Sequence, residues 1–327
     1  MNRILVIRGG AIGDFILTLP ALGTLRRAHP DAEIHVLGYQ HIAELVNKRF
    51  YADLVRSIEY GPLASFFAKN SELPSELANY FASFQLVLTY LYDPDRIFEI
   101  NLRRCGLEEI LCGPAKLNGQ GHAAWQLGRP LEQLGLRVDD LRSRLYPSRE
   151  DRAAGQDYLK DLSPPILAMH PGSGSEQKNW PIENWIQLGN EILAGNPRNG
   201  GFQAADCSNG RFGNRPSLIV VAGEADEAQT ARLQHEWRDQ RVHFAENLPL
   251  PHLAAVLENT IFVGHDSGIS HLAAAAGAKC TLLFGPTDPD VWAPKGENVR
   301  VLKAPDGDLS RIRPADLMAK LLMSLKS

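Results

Sequence analysis

The chain opens on a polar-free run, Ile4-Leu5-Val6-Ile7, inside residues 3–7. A β-branched run without alternation predicts a strand buried on both faces, as in a parallel sheet. The glycine turn Gly9-Gly10-Ala11-Ile12-Gly13 follows, and then Phe15, Leu19, Leu22 and Leu25 recur at helical spacing over 15–28. Residues 33–37 form a second predicted strand, so strand, helix and strand fit within the first 37 residues as a βαβ unit. A helix at 42–47 and a strand at 84–89 continue this series, and 100–165 is less regular. A helix at 151–162 ends at Ser163-Pro164-Pro165, where the prolines break the chain.

A new series starts directly after that break. Residues 166–169 predict a strand that runs into His170-Pro171-Gly172-Ser173-Gly174. Helices are predicted at 182–193, 227–238, 253–258 and 267–276, and strands at 218–222, 261–263 and 281–284. Both halves therefore begin with a strand entering a glycine turn, a coarse architectural repeat. This pattern divides the chain into an N-terminal α/β domain, 1–162, and a C-terminal one, 163–327, with the last helix a candidate to pack back on the first domain. Residues 195–217 fit neither series. They hold five glycines and two prolines where two to six residues normally suffice, and read as an exposed insertion.

Composition narrows the function classes. The 327 residues are 44% hydrophobic with a net charge of −4, which excludes a disordered chain and allows two real cores. Lys+Arg number 34 against Asp+Glu 38, so there is no basic nucleic-acid module. The longest apolar stretch, 272–285, is interrupted by Lys279 and is too short to span a membrane. The first residues do not read as a secretion signal, because Arg8 and Asp14 follow only four apolar residues. Cys105, Cys112, Cys207 and Cys280 lack C-x-x-C spacing and read as unpaired thiols in a reducing compartment, so the expected location is cytoplasmic.

Three segments carry candidate chemistry. The first turn is neither a Walker A loop nor G-x-G-x-x-G, and it places Asp14 at a helix start. A carboxylate there repels phosphate and suits a general base; as a plain structural feature it is a favourable first-turn residue. Gly10 and Gly13 shape the same turn. In the second half, Gly172, Ser173 and Gly174 form a turn that can aim N–H groups at an anion, with Lys178 adding charge. Gly264-His265-Asp266-Ser267-Gly268-Ile269-Ser270-His271 opens a small-residue helix whose N-terminus suits phosphate oxygens. His271 lies four residues after Ser267, on the same helix face. Asp266 or Ser267 also serves as a simple N-cap, and G-H-D-S-G does not fit a hydrolase elbow. Asp93-Pro94-Asp95 and Asp288-Pro289-Asp290 read as turns, and no histidine spacing predicts a metal site.

These segments together resemble glycosyltransferase family 9, the heptosyltransferases of bacterial lipopolysaccharide synthesis. The resemblance rests on residues 3–22 (RILVIRGGAIGDFILTLPAL), 169–185 (MHPGSGSEQKNWPIENW) and 262–286 (FVGHDSGISHLAAAAGAKCTLLFGP), with Val220-Val221-Ala222-Gly223 as support. It implies a GT-B fold, two Rossmann-like α/β domains with parallel sheets facing across a cleft. It implies an inverting, metal-independent sugar transferase that uses a nucleotide sugar, typically ADP-heptose, and needs no cofactor. By the same resemblance Asp14 is the base, and Lys178, Asp266, Ser267, Gly268 and His271 hold the donor diphosphate and sugar. Glu224 or Glu227, after a strand, is placed to accept ribose hydroxyls. The implied partners are a nucleotide-sugar donor and a lipid-linked glycan acceptor, with peripheral contact at the inner membrane. Arg96, Arg103, Arg104 and Lys116 are diluted by nearby carboxylates and read as solvated surface. Two alternatives stand beside this reading: a nucleotide-sugar-binding protein without transferase activity, and a GT-B transferase with another donor and acceptor. An NAD-dependent dehydrogenase is disfavoured by the missing G-x-G-x-x-G pattern.

Overall fold

The structure, a computed structural model, describes residues 1–117, 119–194, 216–223 and 226–326. Glu224 and nearly all of the 195–217 segment therefore lie outside the described residues. The chain forms two units, Met1–Tyr146 and Pro147–Ser327.

Unit 1 contains β1 (Arg3–Arg8), α1 (Ile12–Ala28), β2 (Glu33–Gly38), α2 (Gln40–Ala43), β3 (Leu54–Ser57), α3 (Ser75–Ala82), β4 (Leu86–Thr89), α4 (Ile97–Arg104), β5 (Ile110–Cys112) and α5 (Ala123–Gly128). Its five strands are parallel, in the order β3-β2-β1-β4-β5. Strand order reverses between β1 and β4, which opens a crevice at their carboxyl ends. Leu5, Ile7, Val87, Phe66, Phe81 and Phe98 build the core on one side of the sheet. Helix α1 is buried at every position from Phe15 to Leu25, so it has no solvent-facing stripe there. Pro20 sits inside it and lacks the N–H that would bond the Ile16 carbonyl. The Ser143 hydroxyl donates to that carbonyl instead, at 2.7 Å.

Unit 2 contains α6 (Arg149–Leu159), β6 (Ile166–Met169), α7 (Ile182–Ala194), β7 (Ser217–Ala222), α8 (Glu227–Glu236), β8 (Val242–Glu246), α9 (Leu250–Leu257), β9 (Ile261–His265), α10 (Gly268–Ala276), β10 (Lys279–Phe284), α11 (Pro289–Trp292), β11 (Val299–Lys303) and α12 (Pro314–Lys326). Its six strands are also parallel, in the order β11-β10-β9-β6-β7-β8. The reversal here falls between β6 and β9. Three tryptophans anchor the core, and two of them satisfy their indole N–H internally: Trp180 to the Ile312 carbonyl (2.9 Å) and Trp237 to Asn190 Oδ1 (2.8 Å). The last helix, α12, packs on α7, β9 and β10 of its own unit.

The division at 146/147 corrects the boundary of 162/163 expected from the proline break. Helix α6, assigned by sequence to the first domain, belongs to unit 2. Ser148 and Asp151 start it with a capping box, Ser148 N donating to the carboxylate and Asp151 N to the hydroxyl. It then packs on α9 so closely that a Cβ at Gly155 would lie 3.0 Å from the Ala255 backbone. Arg152 adds two bonds to Glu258, at 3.0 and 2.9 Å. The proline pair separates a helix from a strand within one domain, and a composition break cannot tell that from a linker.

Candidate functional site

In unit 1 the crevice is formed by the loop between β1 and α1. Gly10 adopts φ +96°, a conformation that favours glycine, and this brings the chain round so that Asp14 faces back onto the turn. Asp14 Oδ2 accepts from Ala11 N at 3.2 Å, and Gly13 lies in the first turn of α1. The Asp14 side chain remains 41% exposed, so the carboxylate is open to a substrate.

Sequence reasoning missed its neighbour, Arg8. This last residue of β1 is buried, and its guanidinium lies 3.5 Å from Asp14 Oδ1 and donates to the Asp14 carbonyl at 3.2 Å. It also stands over the Tyr90 ring at 5.5 Å, while the Tyr90 hydroxyl donates to the Leu127 carbonyl. Burial pushes the arginine below its ordinary pKa, and the charge of Asp14 opposes that shift. Arg8 therefore holds Asp14 in place from beneath. The available signal was a charged residue closing an otherwise apolar strand, RILVIR.

Elsewhere in this unit the basic residues are engaged locally. Arg96 and Arg103 both bind Glu99, whose carboxyl is lowered to about 2, chiefly by the hydrogen bond from Arg96. Arg104 bonds Asn101 and the Ser71 carbonyl, and Lys116 sits over Tyr92 at 5.2 Å.

In unit 2 the candidate residues converge at the strand-order reversal, on the loops after β6 and β9. Lys178 Nζ donates to Asp266 Oδ2 at 2.7 Å, although 88 residues separate them. Ser267 is the N-cap of α10, its hydroxyl accepting from Ser270 N at 3.3 Å. Gly268 is the first residue of α10, and His271 is buried one turn further along. One cation, one capping hydroxyl and the free N–H groups of a nine-residue helix thus share one edge of the sheet. Glu227, at the start of α8, is exposed, and among the described residues Ser173 bonds within its own turn, donating to the Ser175 carbonyl and accepting from Ser175 N.

Two histidines beneath this surface lock the loops together. Trp180 N donates to His265 Nε2 at 2.8 Å, and His265 Nδ1 bonds the Gly172 carbonyl at 3.4 Å. That pattern requires a neutral ring with its proton on Nδ1. Burial first, and then the charge of His170, hold His265 down to about 3, so it stays neutral. His170 Nε2 in turn bonds Asp226 Oδ2 at 3.0 Å, and its Nδ1 faces Ser267 Oγ at 3.3 Å. Asp226 also accepts from Gly223 N at 3.1 Å. Burial alone would raise this carboxyl; the bond and charge of His170, with the Gly223 N–H, outweigh it and leave the group below its ordinary value. Asp226 lies 56 residues from His170 and belongs to no recognisable motif, so spacing gave no signal for it.

A model of glycosyltransferase family 9 (heptosyltransferase) matches residues 212–320. The chain is similar to lipooligosaccharide heptosyltransferase 2 of Haemophilus influenzae, 27% identical over 46% of this chain and 40% of that protein. It thus spans less than half the length of that relative. It is similar along nearly its whole length to lipopolysaccharide heptosyltransferase 1 of Escherichia coli, 22% identical over 95% of this chain and 94% of that protein. The solved Escherichia coli ADP-heptose lps heptosyltransferase II matches with a TM-score of 0.73, 15% identity and full coverage of both chains. At that identity the likeness is one of fold: α/β units with parallel sheets, as in the GT-B class.

Proposed function

We propose that this member of glycosyltransferase family 9 is an inverting glycosyltransferase that moves heptose from ADP-heptose onto a lipopolysaccharide-type glycan. The observation that carries the reading is the meeting of Lys178, Asp266 and Ser267 at the N-terminus of α10, where a parallel sheet of this order binds ligands. The family and the names of the relatives supply the donor and the acceptor class.

In this reading Asp14 removes the proton from the attacking hydroxyl of the acceptor. That oxygen bonds to the anomeric carbon from the face opposite the diphosphate, through an oxocarbenium-like transition state. The bond between the anomeric carbon and the diphosphate breaks, and the leaving oxygen keeps its electron pair. Lys178, the Ser267 hydroxyl and the N–H groups of Gly268 and Ile269 stabilise that growing charge. Lys178 must then divide its donors between Asp266 and the ligand. Unit 1 supplies the base and unit 2 the anion site. No helix among the described residues is long and apolar enough to cross a membrane. In this reading a lipid-borne acceptor brings the enzyme to a membrane surface, the cytoplasmic face being the one the family resemblance implies.

A thermal-shift screen of ADP-, UDP- and GDP-sugars tests the donor. ADP-heptose at a hundredfold excess over its Kd stabilises the protein by about 2.7 kcal/mol. Selective stabilisation by a UDP- or GDP-sugar overturns the assignment. Lys178→Ala removes a charge-assisted bond worth about 1.5–3 kcal/mol and weakens ADP-heptose binding roughly 10–100-fold. Unchanged affinity in calorimetry removes Lys178 from the site.

A further inference from the structure

Unit 1 holds a cavity of about 270 Å³ at the edge of its sheet, where the end of β3 meets helix α3. Its floor is Leu37, Leu63, Leu77 and Phe81, all buried, and it is lined by no residue of the Asp14 turn. A cavity of about 150 Å³ takes a benzene ring, and drug-sized sites run from about 300 to 1,000 Å³. The space here therefore suits one ring, or one branched aliphatic side chain, with a short polar head.

Three polar side chains line the same cavity, and each has bonding capacity to spare. Arg56, near the end of β3, lies over the Tyr80 ring at 4.1 Å, and the Tyr80 hydroxyl bonds His35 Nδ1 at 3.1 Å. A guanidinium stacked on a ring that is itself held offers its edge N–H groups as a fork. Among the described residues that guanidinium makes no hydrogen bond and no ion pair. Ser57 Oγ accepts from Glu59 N at 3.1 Å, and its own hydrogen has no acceptor among the described residues. Glu76, in the first turn of α3, also has a carboxylate without a hydrogen bond or ion pair there, and it is not paired with Arg56.

We propose that this cavity binds a free α-amino acid with an apolar side chain, of the size of leucine or phenylalanine. The carboxylate of the ligand takes the Arg56 fork and the Ser57 hydroxyl, its ammonium group takes Glu76, and its side chain enters the apolar floor. A ligand with an anion alone would meet the Glu76 carboxylate, and one with a cation alone would meet the Arg56 guanidinium. A zwitterion gives both groups a partner. A residue inside a peptide carries neither charge, so the ligand is the free amino acid. The inference does not rest on the donor or the acceptor proposed above, and it uses none of the residues assigned to them.

Calorimetry of the full chain with L-phenylalanine and L-leucine tests the proposal. A well-seated ligand of that size binds with a Kd of about 1 mM or tighter, and such binding of either is the expected result. Phenylpropanoate, which lacks the ammonium group, and phenethylamine, which lacks the carboxylate, are each expected to bind roughly tenfold more weakly. Glycine keeps both charges without the side chain and is expected to give no measurable binding. Arg56→Gln and Glu76→Gln change exposed positions, leave the melting temperature in place and weaken L-phenylalanine roughly tenfold. In Glu76→Gln the disadvantage of phenylpropanoate shrinks, because the ammonium group it lacks no longer has a charged partner. The proposal is overturned if neither amino acid binds at about 10 mM, tenfold above the expected Kd. Equal affinity for glycine or for either one-charge analogue overturns it too, as does unchanged affinity in either variant.

Discussion

Asp14→Asn lowers turnover roughly 10²–10⁴-fold, the span of a lost general base, and leaves ADP-heptose affinity unchanged. Asparagine has nearly the same shape. Its side-chain oxygen still accepts from Ala11 N, the bond that Asp14 Oδ2 makes at 3.2 Å, so the turn keeps its form. What disappears is the ability to take a proton from the acceptor. Donor binding is untouched because its proposed groups, Lys178 and Ser267, belong to the other unit. A second effect follows from Arg8. Its buried guanidinium loses the carboxylate at 3.5 Å, and with Asp14 itself 41% exposed the cost is solvent-screened and small. A modest fall in the melting temperature of unit 1 is therefore expected with the loss of activity. Single-turnover kinetics with ADP-heptose bound separate the two, since an unfolding defect lowers the active fraction and leaves the rate per bound enzyme intact. Full turnover in this variant removes Asp14 from the chemistry.

The strands that were hard to read share one physical trait. The central strands β1, β2, β4, β6, β7, β9 and β10 were all visible as apolar runs, because a strand covered on both faces has no reason to alternate. The four left out, β3, β5, β8 and β11, are the edges of the two sheets. They read LVRS, ILC, VHFAE and VRVLK, short or charged as edges must be to avoid pairing with another chain. The site divides in a similar way. Asp14, Lys178 and the Asp266-Ser267-Gly268 string lie in contiguous motifs and were legible. Arg8 and Asp226 act by burial and by a partner distant in sequence, and burial is a property of the fold. Helix α1 shows the same limit: its spacing suggested one apolar stripe, yet it is buried at every position from Phe15 to Leu25, with α5 and α2 packed on it.

Two glycines of one turn, Gly172 and Gly174, give opposite results when replaced by alanine. A Cβ at Gly172 would run into the Asp226 carboxylate, which Gly223 N and His170 hold in place. To make room the carboxylate must swing and break both bonds, or the turn must shift and break the His265–Gly172 bond. Overpacking costs about 1–3 kcal/mol, and a buried polar group left unpaired about 1–3 kcal/mol more. Gly172→Ala should therefore lower the melting temperature of unit 2 by roughly 2–4 °C for each kcal/mol lost. It also uncouples His170 and weakens ADP-heptose binding together with stability. Gly174 has open space at its Cβ and an ordinary φ. Gly174→Ala restricts only the unfolded chain and is expected to stabilise by about 0.4–1 kcal/mol. Differential scanning calorimetry of both variants decides between two origins of the glycine turn. If both alanines are tolerated and both weaken ligand binding, the turn is glycine-rich to admit the diphosphate. If only Gly172→Ala is damaging, its glycine is there to seat Asp226, and the motif HPG marks the Asp226–His170 pair beneath the site.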